Sequence, residues 1–229
     1  MGTRDATPHQ LHADAAVFDL DGLLIDSETA CFNTAYELLL PFGYELTRAR
    51  FAQQIGHPAR LLYTTLSEEL LMEFPVDELL ARRGAMLDAF YTSPHPMPGA
   101  VDLLRDVHAR GIPLAIASSS NTQLVRRAVE GLGVAECIDV IVATGHPAVT
   151  RLKPAPDIYL VALSELGVGA SHAFALEDSP TGATAALAAG LTTLAVASDW
   201  TEHLDFPDGV IRVDSLEAVT LLLNEAQGR

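Results

Sequence analysis

Cysteine is scarce in this chain, because only Cys31 and Cys137 occur among its 229 residues. So few cysteines argue against the disulfide framework of small secreted proteins and suit a reducing environment. The polar start of the chain, residues 1–13, lacks the apolar core of a secretory signal, and we expect it to be a disordered extension. The sequence therefore predicts a cytoplasmic protein.

Positive charge is also scarce: 14 lysines and arginines stand against 30 acidic residues and leave a formal net charge of −16. No basic stripe is available to displace counterions from phosphates, so we predict no nucleic-acid partner. No apolar run reaches membrane-spanning length, and we predict no membrane partner. An anionic ligand would depend on a few local cations, since local charge decides what binds in a site. The sequence favours no particular oligomeric state.

The chain does contain a regular alternation of short apolar runs and helical patterns. The runs predicted to be buried strands are residues 15–18, 112–117, 140–143, 173–176 and 191–196, with an edge strand at 211–213. The helical patterns of this region are residues 100–110, 122–132, 156–166, 181–189 and 216–226. This order indicates βαβ units, so the predicted fold class is α/β with a doubly wound, Rossmann-like parallel sheet. Trp200, the only tryptophan, is expected to cover the core after the last buried strand.

Residues 29–97 break this alternation, because they contain long helical patterns and no convincing strand. We interpret them as a helical cap domain inserted into a core domain made of residues 14–28 and 98–229. The insertion begins just after a pair of carboxylates, which favours a lid over a site. The alternative is that these helices merely complete one globule.

The carboxylate pair is Asp19 and Asp21, which emerge directly after the first predicted strand and are followed by Gly22. In open α/β sheets, ligands bind at this carboxyl end of the strands. Two carboxylates so close together repel each other, and a hard divalent cation such as Mg²⁺ would relieve the repulsion. The alternative for an isolated pair of this kind is a solvated loop.

Polar groups also follow later strands of the predicted sheet. Ser118 and Asn121 follow the second strand, where a hydroxyl and free backbone N–H groups suit a phosphate oxygen but also serve as a helix N-cap. Lys153 precedes a proline-stiffened helix start and can present its ammonium either to a bound anion or to solvent. Glu177 and Asp178 follow the fourth strand and supply a second acid pair.

Taken together, these segments resemble the four motifs of the haloacid dehalogenase superfamily in order and spacing. The most similar stretches are Asp19-Leu-Asp-Gly-Leu-Leu-Ile-Asp-Ser-Glu28, Leu152-Lys-Pro-Ala-Pro-Asp157 and Leu176-Glu-Asp-Ser-Pro-Thr-Gly182. Each stretch alone is moderately specific, and jointly they are very specific. The resemblance covers nearly the whole chain from Ala15 onward. It is closest to the phosphatases and beta-phosphoglucomutases that carry a helical cap after the first motif.

The resemblance implies phosphoryl transfer through an aspartyl-phosphate at Asp19. Asp21 would protonate the leaving oxygen and then deprotonate the attacking water. The implied cofactor is Mg²⁺, and its implied ligands are Asp19, the backbone carbonyl of Asp21, Asp178 and Glu177, the last directly or through water. Ser118 and Lys153 would bind the phosphoryl oxygens. Such a small set suffices because phosphoryl transfer depends mostly on positioning and charge stabilisation.

Further substrate contacts are predicted from position alone. Ser119 and Asn121 lie beside Ser118, and Asn121 either touches substrate or caps a helix. Glu28 lies at the entrance to the insertion, where it would contact substrate or brace the hinge. Arg60 follows a loop at residues 56–58 of the cap region and would either face the site and grip substrate or lie on the surface.

We therefore predict a Mg²⁺-dependent phosphatase whose substrate is a small phosphorylated metabolite, such as a sugar phosphate or a related monoester. The alternatives are a phosphosugar mutase of the beta-phosphoglucomutase type and a noncatalytic phospho-ligand-binding protein. A dehalogenase is disfavoured, because those relatives use no metal and lack the second aspartate, here Asp21. Hydrolysis is favoured over the mutase because Cys31 stands where the mutases carry a histidine that controls when the aspartate pair acts. A thiol does not replace the two nitrogens of an imidazole.

Overall fold

The structure is a computed structural model that describes residues 14–55 and 59–226. The predicted extension 1–13 and the loop at 56–58 lie outside the described residues. Six strands form one sheet in which all neighbours run parallel. The strands are β1 (Ala15–Phe18), β2 (Leu114–Asn121), β3 (Val140–Thr144), β4 (Ala173–Glu177), β5 (Thr192–Ala195) and β6 (Ile211–Arg212).

The strands are arranged in the order β3-β2-β1-β4-β5-β6, which confirms the predicted doubly wound α/β class. From β1 the chain winds outward through β2 and β3, and it then returns to place β4 on the other side of β1. Phe18 at the end of β1 pairs with Leu176 of β4. The winding direction reverses between these two strands, and a crevice forms outside the carboxyl ends of the strands at such a point. The fold therefore favours a ligand beyond Phe18 and Leu176.

Helices cover both faces of the sheet. In chain order, the α-helices of the described residues are α1 (Ser27–Leu39), α2 (Arg48–Ala52), α3 (Ala59–Leu70), α4 (Val76–Thr92), α5 (Ala100–Ala109), α6 (Thr122–Gly131), α7 (Asp157–Leu166), α8 (Pro180–Ala188) and α9 (Leu216–Ala226). On one face Phe18 and Phe174 pack under α5, α6 and α9, and on the other Val17 and Ala175 pack against α7 and α8. Burial on both faces explains why these strands are almost entirely apolar. In the described ranges, none of the helices combines the length and apolarity that a membrane crossing requires.

The predicted core elements agree with the structure to within a residue except at β2. This strand was expected to end before Ser118, but it continues to Asn121, which pairs with Thr144 of β3 after a shift in register. The hydroxyl of Thr144 donates to the carbonyl oxygen of Ser119 at 2.7 Å and helps to hold this irregular end. Ser118 therefore lies within a strand and is fully buried.

Helices α1 to α4 lie between β1 and β2, and we call them the helical insertion. Most of their buried apolar residues form a hydrophobic cluster of their own, whereas Leu87 and Tyr91 of α4 belong to the cluster on one face of the sheet. The chain enters and leaves the insertion side by side. The Asp26 N–H donates to the carbonyl of His95 at 2.9 Å, and the Met97 N–H donates to the carbonyl of Leu24 at 2.9 Å. These two bonds tie the connections to each other at the base of the insertion.

Trp200 comes from the loop after β5 but packs into the helical insertion. Its ring centroid lies 5.6 Å from that of Phe32 and 5.5 Å from that of Phe51. The guanidinium carbon of Arg48 lies 3.9 Å from the same ring, and the indole N–H donates to Oγ1 of Thr29 at 3.1 Å. The expectation that Trp200 covers the core is wrong, because the loop after β5 directs the side chain toward the insertion.

Candidate active site

The carboxyl ends of β1 and β4 face a cavity of about 730 Å³ that the helical insertion also lines. The residues singled out from the sequence that line it are Asp19, Asp21, Glu28, Ser119, Lys153 and Asp178. Two further predicted residues are hydrogen-bonded to this wall: Ser118 contacts Asp21, and Glu177 contacts Lys153. The structure thus brings residues from four separate strand ends to one place.

Asp19, Glu177 and Asp178 form a cluster of buried carboxylates. One oxygen of each lies within 4.8 Å of the others. The Asp19 N–H donates to the carbonyl of Leu176 at 3.0 Å, which holds the ends of β1 and β4 in register. Because hard divalent cations prefer oxygen ligands, this set of donors fits such an ion.

Two glycines allow these carboxylates to approach the backbone. Gly22 has a φ of +81°, and a Cβ there would lie 2.2 Å from Oδ2 of Asp178. A Cβ at Gly182, near the start of α8, would lie 1.9 Å from Oε1 of Glu177. Both distances are too short for non-bonded atoms, so any side chain at either position would displace a carboxylate of the cluster.

Lys153 connects two of the acids. Its ammonium donates to Oδ1 of Asp19 at 2.5 Å, to Oε1 of Glu177 at 2.6 Å and to the carbonyl of Ala117 at 2.9 Å. These three bonds use all three protons of the ammonium. Since the Lys153 side chain is only 5% exposed, the ion pairs are shielded from solvent.

The electrostatics of the cluster favour a second cation. Burial raises the pKa of Asp19 to about 8, although the Lys153 ammonium opposes that rise. Burial, together with the charges of Asp19 and Glu177, also raises the pKa of Asp178 well above its usual range. Burial alone would lower the pKa of Lys153, but the two carboxylates outweigh it and hold that pKa high. With all three carboxyl groups ionised, the cluster and the Lys153 ammonium would together carry two negative charges, which a divalent cation would balance.

Asp21 is held by hydroxyl groups from both the sheet and the helical insertion. Its Oδ2 accepts from Ser118 at 2.9 Å and from Ser120 at 2.8 Å. Its Oδ1 accepts from the hydroxyl of Tyr91, near the end of α4, and that hydroxyl also lies 3.1 Å from Oγ of Ser120. Sequence reasoning missed Ser120 and Tyr91. Ser120 directly follows the predicted Ser118 and Ser119 in the sequence, whereas the pattern of α4 does not single out Tyr91.

Tyr159 is another residue that the sequence did not reveal. It lies on α7, is fully buried, and donates its hydroxyl to Oε1 of Glu177. The Lys153 ammonium lies 5.0 Å from the centre of its ring, within the range of a cation–π contact. The sequence feature that could have identified Tyr159 is its position six residues after Lys153, on the helix that follows the lysine.

Two residues near the cluster are helix caps. Ser179 accepts from the Gly182 N–H at 3.1 Å and caps α8. The side chain of Asn121 accepts from the Leu124 N–H at 3.0 Å and caps α6. Of the two roles considered for Asn121, the structure shows the cap.

Arg60 and Ser119 occupy different environments. Arg60 forms an ion pair of 2.6 Å with Asp77 across the surface of the helical insertion, and 56% of its side chain is exposed. Among the described residues, those that line the cavity do not include Arg60, so the structure does not bring it to the site. Ser119 does line the cavity and is exposed to it.

Glu28, in the first turn of α1, lies on the insertion side of the cavity. Burial raises the pKa of Glu28 to about 7, and the neighbouring charge of Asp21 raises it further, while Arg83 opposes the shift. Glu28 is therefore near its midpoint of ionisation at neutral pH. It can either accept or donate a hydrogen bond to a group in the cavity.

The chain matches the model of the family described as haloacid dehalogenase-like hydrolase over residues 16–196. This match spans β1 to the end of β5 and includes every residue of the carboxylate cluster. The chain therefore belongs to the haloacid dehalogenase-like hydrolase family.

Individual relatives are similar over most of their length. The protein CbbY of Cereibacter sphaeroides is 31% identical over 88% of this chain and 92% of its own. The (DL)-glycerol-3-phosphatase 2 of Arabidopsis thaliana is 27% identical over 85% of each chain. The crystal structure of a family hydrolase from Deinococcus radiodurans R1 with bound phosphate and sodium has a TM-score of 0.76 and 26% identity, and the match covers 94% of this chain and 97% of that chain.

Replacement of Tyr159 by phenylalanine tests the buried network. Tyr159→Phe removes a donor to a buried carboxylate without changing the packing of the ring. We expect the free energy of unfolding to fall by about 1–3 kcal/mol. Urea unfolding followed by circular dichroism measures the change, with Tyr44→Phe on the partly exposed Tyr44 as the control. An unchanged unfolding midpoint in Tyr159→Phe would contradict the structural role given to this hydroxyl.

Proposed function

We propose that the protein is a Mg²⁺-dependent phosphatase that hydrolyses a small phosphorylated metabolite through an aspartyl-phosphate at Asp19. The observation that carries this proposal is the buried contact between Asp19 and Lys153 beside a cluster of three buried carboxyl groups. Support also comes from the bound phosphate and cation in the Deinococcus structure and from the name of the Arabidopsis relative.

The proposed Mg²⁺ ligands are Asp19, Asp178 and the backbone carbonyl of Asp21. Glu177 is better suited to an indirect role, because Oε1 accepts from Lys153 and Tyr159 while Oε2 accepts from Ser179 at 3.2 Å. When bound, the ion would neutralise charge on the cluster and on the phosphoryl oxygens.

In the first step, Asp19 attacks the phosphorus atom. Lys153 holds Oδ1 of Asp19, so Oδ2 is the oxygen that forms the new bond to phosphorus as the ester bond breaks. The electron pair of that broken bond remains on the leaving oxygen, and Asp21 transfers a proton to it. In this proposal Ser118 and Ser119 of β2 and the positive charge of Lys153 would stabilise the phosphoryl oxygens.

In the second step, water attacks the phosphorus atom of the aspartyl-phosphate. Asp21, now ionised, takes a proton from this water, and the bond between phosphorus and Asp19 breaks to regenerate the carboxylate. The hydroxyls of Ser118, Ser120 and Tyr91 can stabilise Asp21 in its ionised form, since each is placed to donate to it. Phosphate is the final product.

In this proposal, residues 29–97 act as a cap on a core of residues 14–28 and 98–229. Two connections joined by backbone hydrogen bonds suit a hinge, and closure would exclude bulk water from the aspartyl-phosphate site. Tyr91 reaches from the cap to Asp21, so the position of the cap would affect the acid directly.

Asp19→Asn tests the nucleophile. We expect turnover to fall by several powers of ten, each equivalent to about 1.4 kcal/mol of activation free energy, because an amide is a far poorer nucleophile than a carboxylate. Phosphate release from phenyl phosphate measures the change. The control is Asp102→Asn, an exposed residue of α5 outside the cavity, which should retain activity. Substantial turnover by a folded Asp19→Asn preparation would rule out this assignment.

Metal removal tests the cofactor. We expect a chelator to stop phosphate release, Mg²⁺ to restore it and Zn²⁺ to restore it poorly, because all the proposed ligands are oxygens. Asp178→Ala should raise the Mg²⁺ concentration required for activity.

Protons compete with Mg²⁺ for Asp19, whose pKa is about 8, so Mg²⁺ should bind more tightly as the pH rises from 6.5 to 8.5. Calorimetry in buffers of different ionisation enthalpy would detect the released protons, and full activity after exhaustive chelation would refute the metal assignment.

The choice between phosphatase and mutase depends on Cys31. Its Sγ accepts a hydrogen bond from Arg83 at 3.2 Å, and burial raises the pKa of the thiol to about 12, so it stays protonated. A mutase must protect its aspartyl-phosphate from water until a sugar returns, and a neutral thiol cannot replace the gating imidazole. Incubation with beta-glucose 1-phosphate and a trace of the bisphosphate should therefore release phosphate or give no reaction. Rapid formation of glucose 6-phosphate with little phosphate would support the mutase, and Asp19→Asn should give neither product.

A further inference from the structure

Lys153 is the only lysine of the chain, and it lies in the loop between β3 and α7. Its ammonium is fixed by three buried contacts, whereas its own backbone belongs to neither a strand nor a helix. A long lysine side chain loses rotamer freedom when its end is fixed, and a loose loop would add the cost of ordering the backbone. The loop that carries Lys153 therefore has to be held by other contacts.

The side chain of Asp157, the first residue of α7, holds this loop. Its Oδ2 accepts from the Arg151 N–H at 3.0 Å and from the Thr150 hydroxyl at 2.7 Å. Its Oδ1 accepts from the Arg151 guanidinium, through Nε at 3.1 Å and through Nη2 at 2.7 Å. We call Thr150, Arg151 and Asp157 the loop clamp. The hydrogen bonds from Arg151 and Thr150 hold the pKa of Asp157 below its usual range, so this carboxylate is ionised at neutral pH.

The loop clamp encloses the segment that contains Lys153. Its four bonds join residues on the two sides of the segment 152–156. Within that segment, the Ala155 N–H donates to the carbonyl of Leu152 at 3.0 Å, so Lys153 is a central residue of a hydrogen-bonded turn. The clamp and the turn together restrict the backbone from which the Lys153 side chain extends.

The other end of the loop clamp is fixed by the packing of α7. Ile158 and Tyr159 follow Asp157 directly and are buried in the hydrophobic cluster on that face of the sheet. Tyr159 also donates its hydroxyl to Glu177. The sheet therefore sets the position of the first turn of α7, and the clamp relates the position of the loop to that turn.

We propose that Asp157 is a positioning residue, which through the loop clamp holds Lys153 where its ammonium contacts Asp19 and Glu177. Among the described residues, those that line the large cavity do not include Asp157, so it acts through Lys153 and not on a ligand. The expected effect on turnover rests on the proposed phosphatase function. The expected effect on the ammonium does not.

Positioning and stability predict effects of different size. The Arg151 side chain is 68% exposed, and exposed ion pairs contribute little to stability because solvent screens the charges. Lys153 lies in a buried cluster, where a displacement of about 1 Å can lower a rate about 100-fold. Loss of the loop clamp should therefore reduce turnover strongly and change the unfolding midpoint little.

Nuclear magnetic resonance of protein labelled at Nζ of lysine with ¹⁵N tests the placement directly, because Lys153 gives the only such signal. In the wild-type protein we expect slow exchange of the ammonium protons with water, since all three are hydrogen-bonded and buried. Asp157→Ala should raise the exchange rate about tenfold or more, because the ammonium leaves its partners more often when the loop is released.

Turnover of phenyl phosphate with Mg²⁺ is the second measurement. We expect kcat to fall about 10-fold to 100-fold in Asp157→Ala, with an unfolding midpoint in urea close to that of wild type. Arg151→Met should cause a smaller fall, because the Arg151 backbone N–H and the Thr150 hydroxyl remain available to Asp157.

The matched control is Asp77→Ala. Asp77 also lies in the first turn of a helix, α4, and forms an ion pair of 2.6 Å with an exposed arginine, Arg60. Because this pair lies on the surface of the helical insertion, Asp77→Ala should retain both the wild-type exchange rate and the wild-type kcat. Equal effects of Asp77→Ala and Asp157→Ala would overturn the proposal, since the loss of any surface ion pair would then suffice.

Three other results would overturn the proposal. They are rapid exchange in the wild-type protein, an exchange rate in Asp157→Ala within twofold of wild type, and faster exchange in Asp157→Ala with undiminished turnover. If Asp157→Ala does not fold, Arg151→Met decides by the same exchange measurement, and a rate equal to that of wild type would overturn the proposal. Failure of the wild-type protein to hydrolyse any ester with Mg²⁺ would count against the phosphatase function, and the exchange rates alone would then decide the role of Asp157.

Discussion

The arrangement of the site depends on the hydrogen bonds and ion pairs of the buried Lys153 ammonium. The ammonium joins the acid at the end of β1 to the acid at the end of β4, and it donates a third bond to the carbonyl of Ala117 within β2. Without this cation, Asp19 and Glu177 would be like charges in a dry environment and would repel each other. Removal of one partner from a buried ion pair leaves an uncompensated charge, which is strongly unfavourable. The same contact therefore supports both the sheet geometry and the electrostatics proposed for phosphoryl transfer.

Two residues of the helical insertion contribute to the site. Tyr91 reaches from α4 to Asp21, and Glu28 of α1 lines the cavity at the carboxylate cluster. Under the proposed function, the sheet would supply the groups that act on phosphorus, and the insertion would supply groups beside them.

The sequence predicted the sheet and the cluster for a clear physical reason. Parallel strands bring their carboxyl ends to one edge, so polar residues after apolar runs predict a shared site, as Asp19, Lys153 and Asp178 illustrate. Contacts between layers were not predictable in this way, because helical periodicity identifies a buried face but not the residue that it meets. Tyr159 and Trp200 are examples, and Arg60 lies on the outer surface of α3, where it pairs with Asp77. The end of β2 was placed too early because its last pairing follows an irregular register.

The position of Trp200 has a practical consequence for spectroscopy. The chain has a single tryptophan, and its indole lies at the junction between the loop after β5 and the helical insertion, 4% exposed and in contact with Thr29 and Arg48. Intrinsic fluorescence excited selectively in the indole band therefore originates from this junction alone. Separation of the insertion from the loop would hydrate the ring and shift its emission to longer wavelength. The native protein thus carries an optical probe of the contact between the helical insertion and the loop after β5, without any added label.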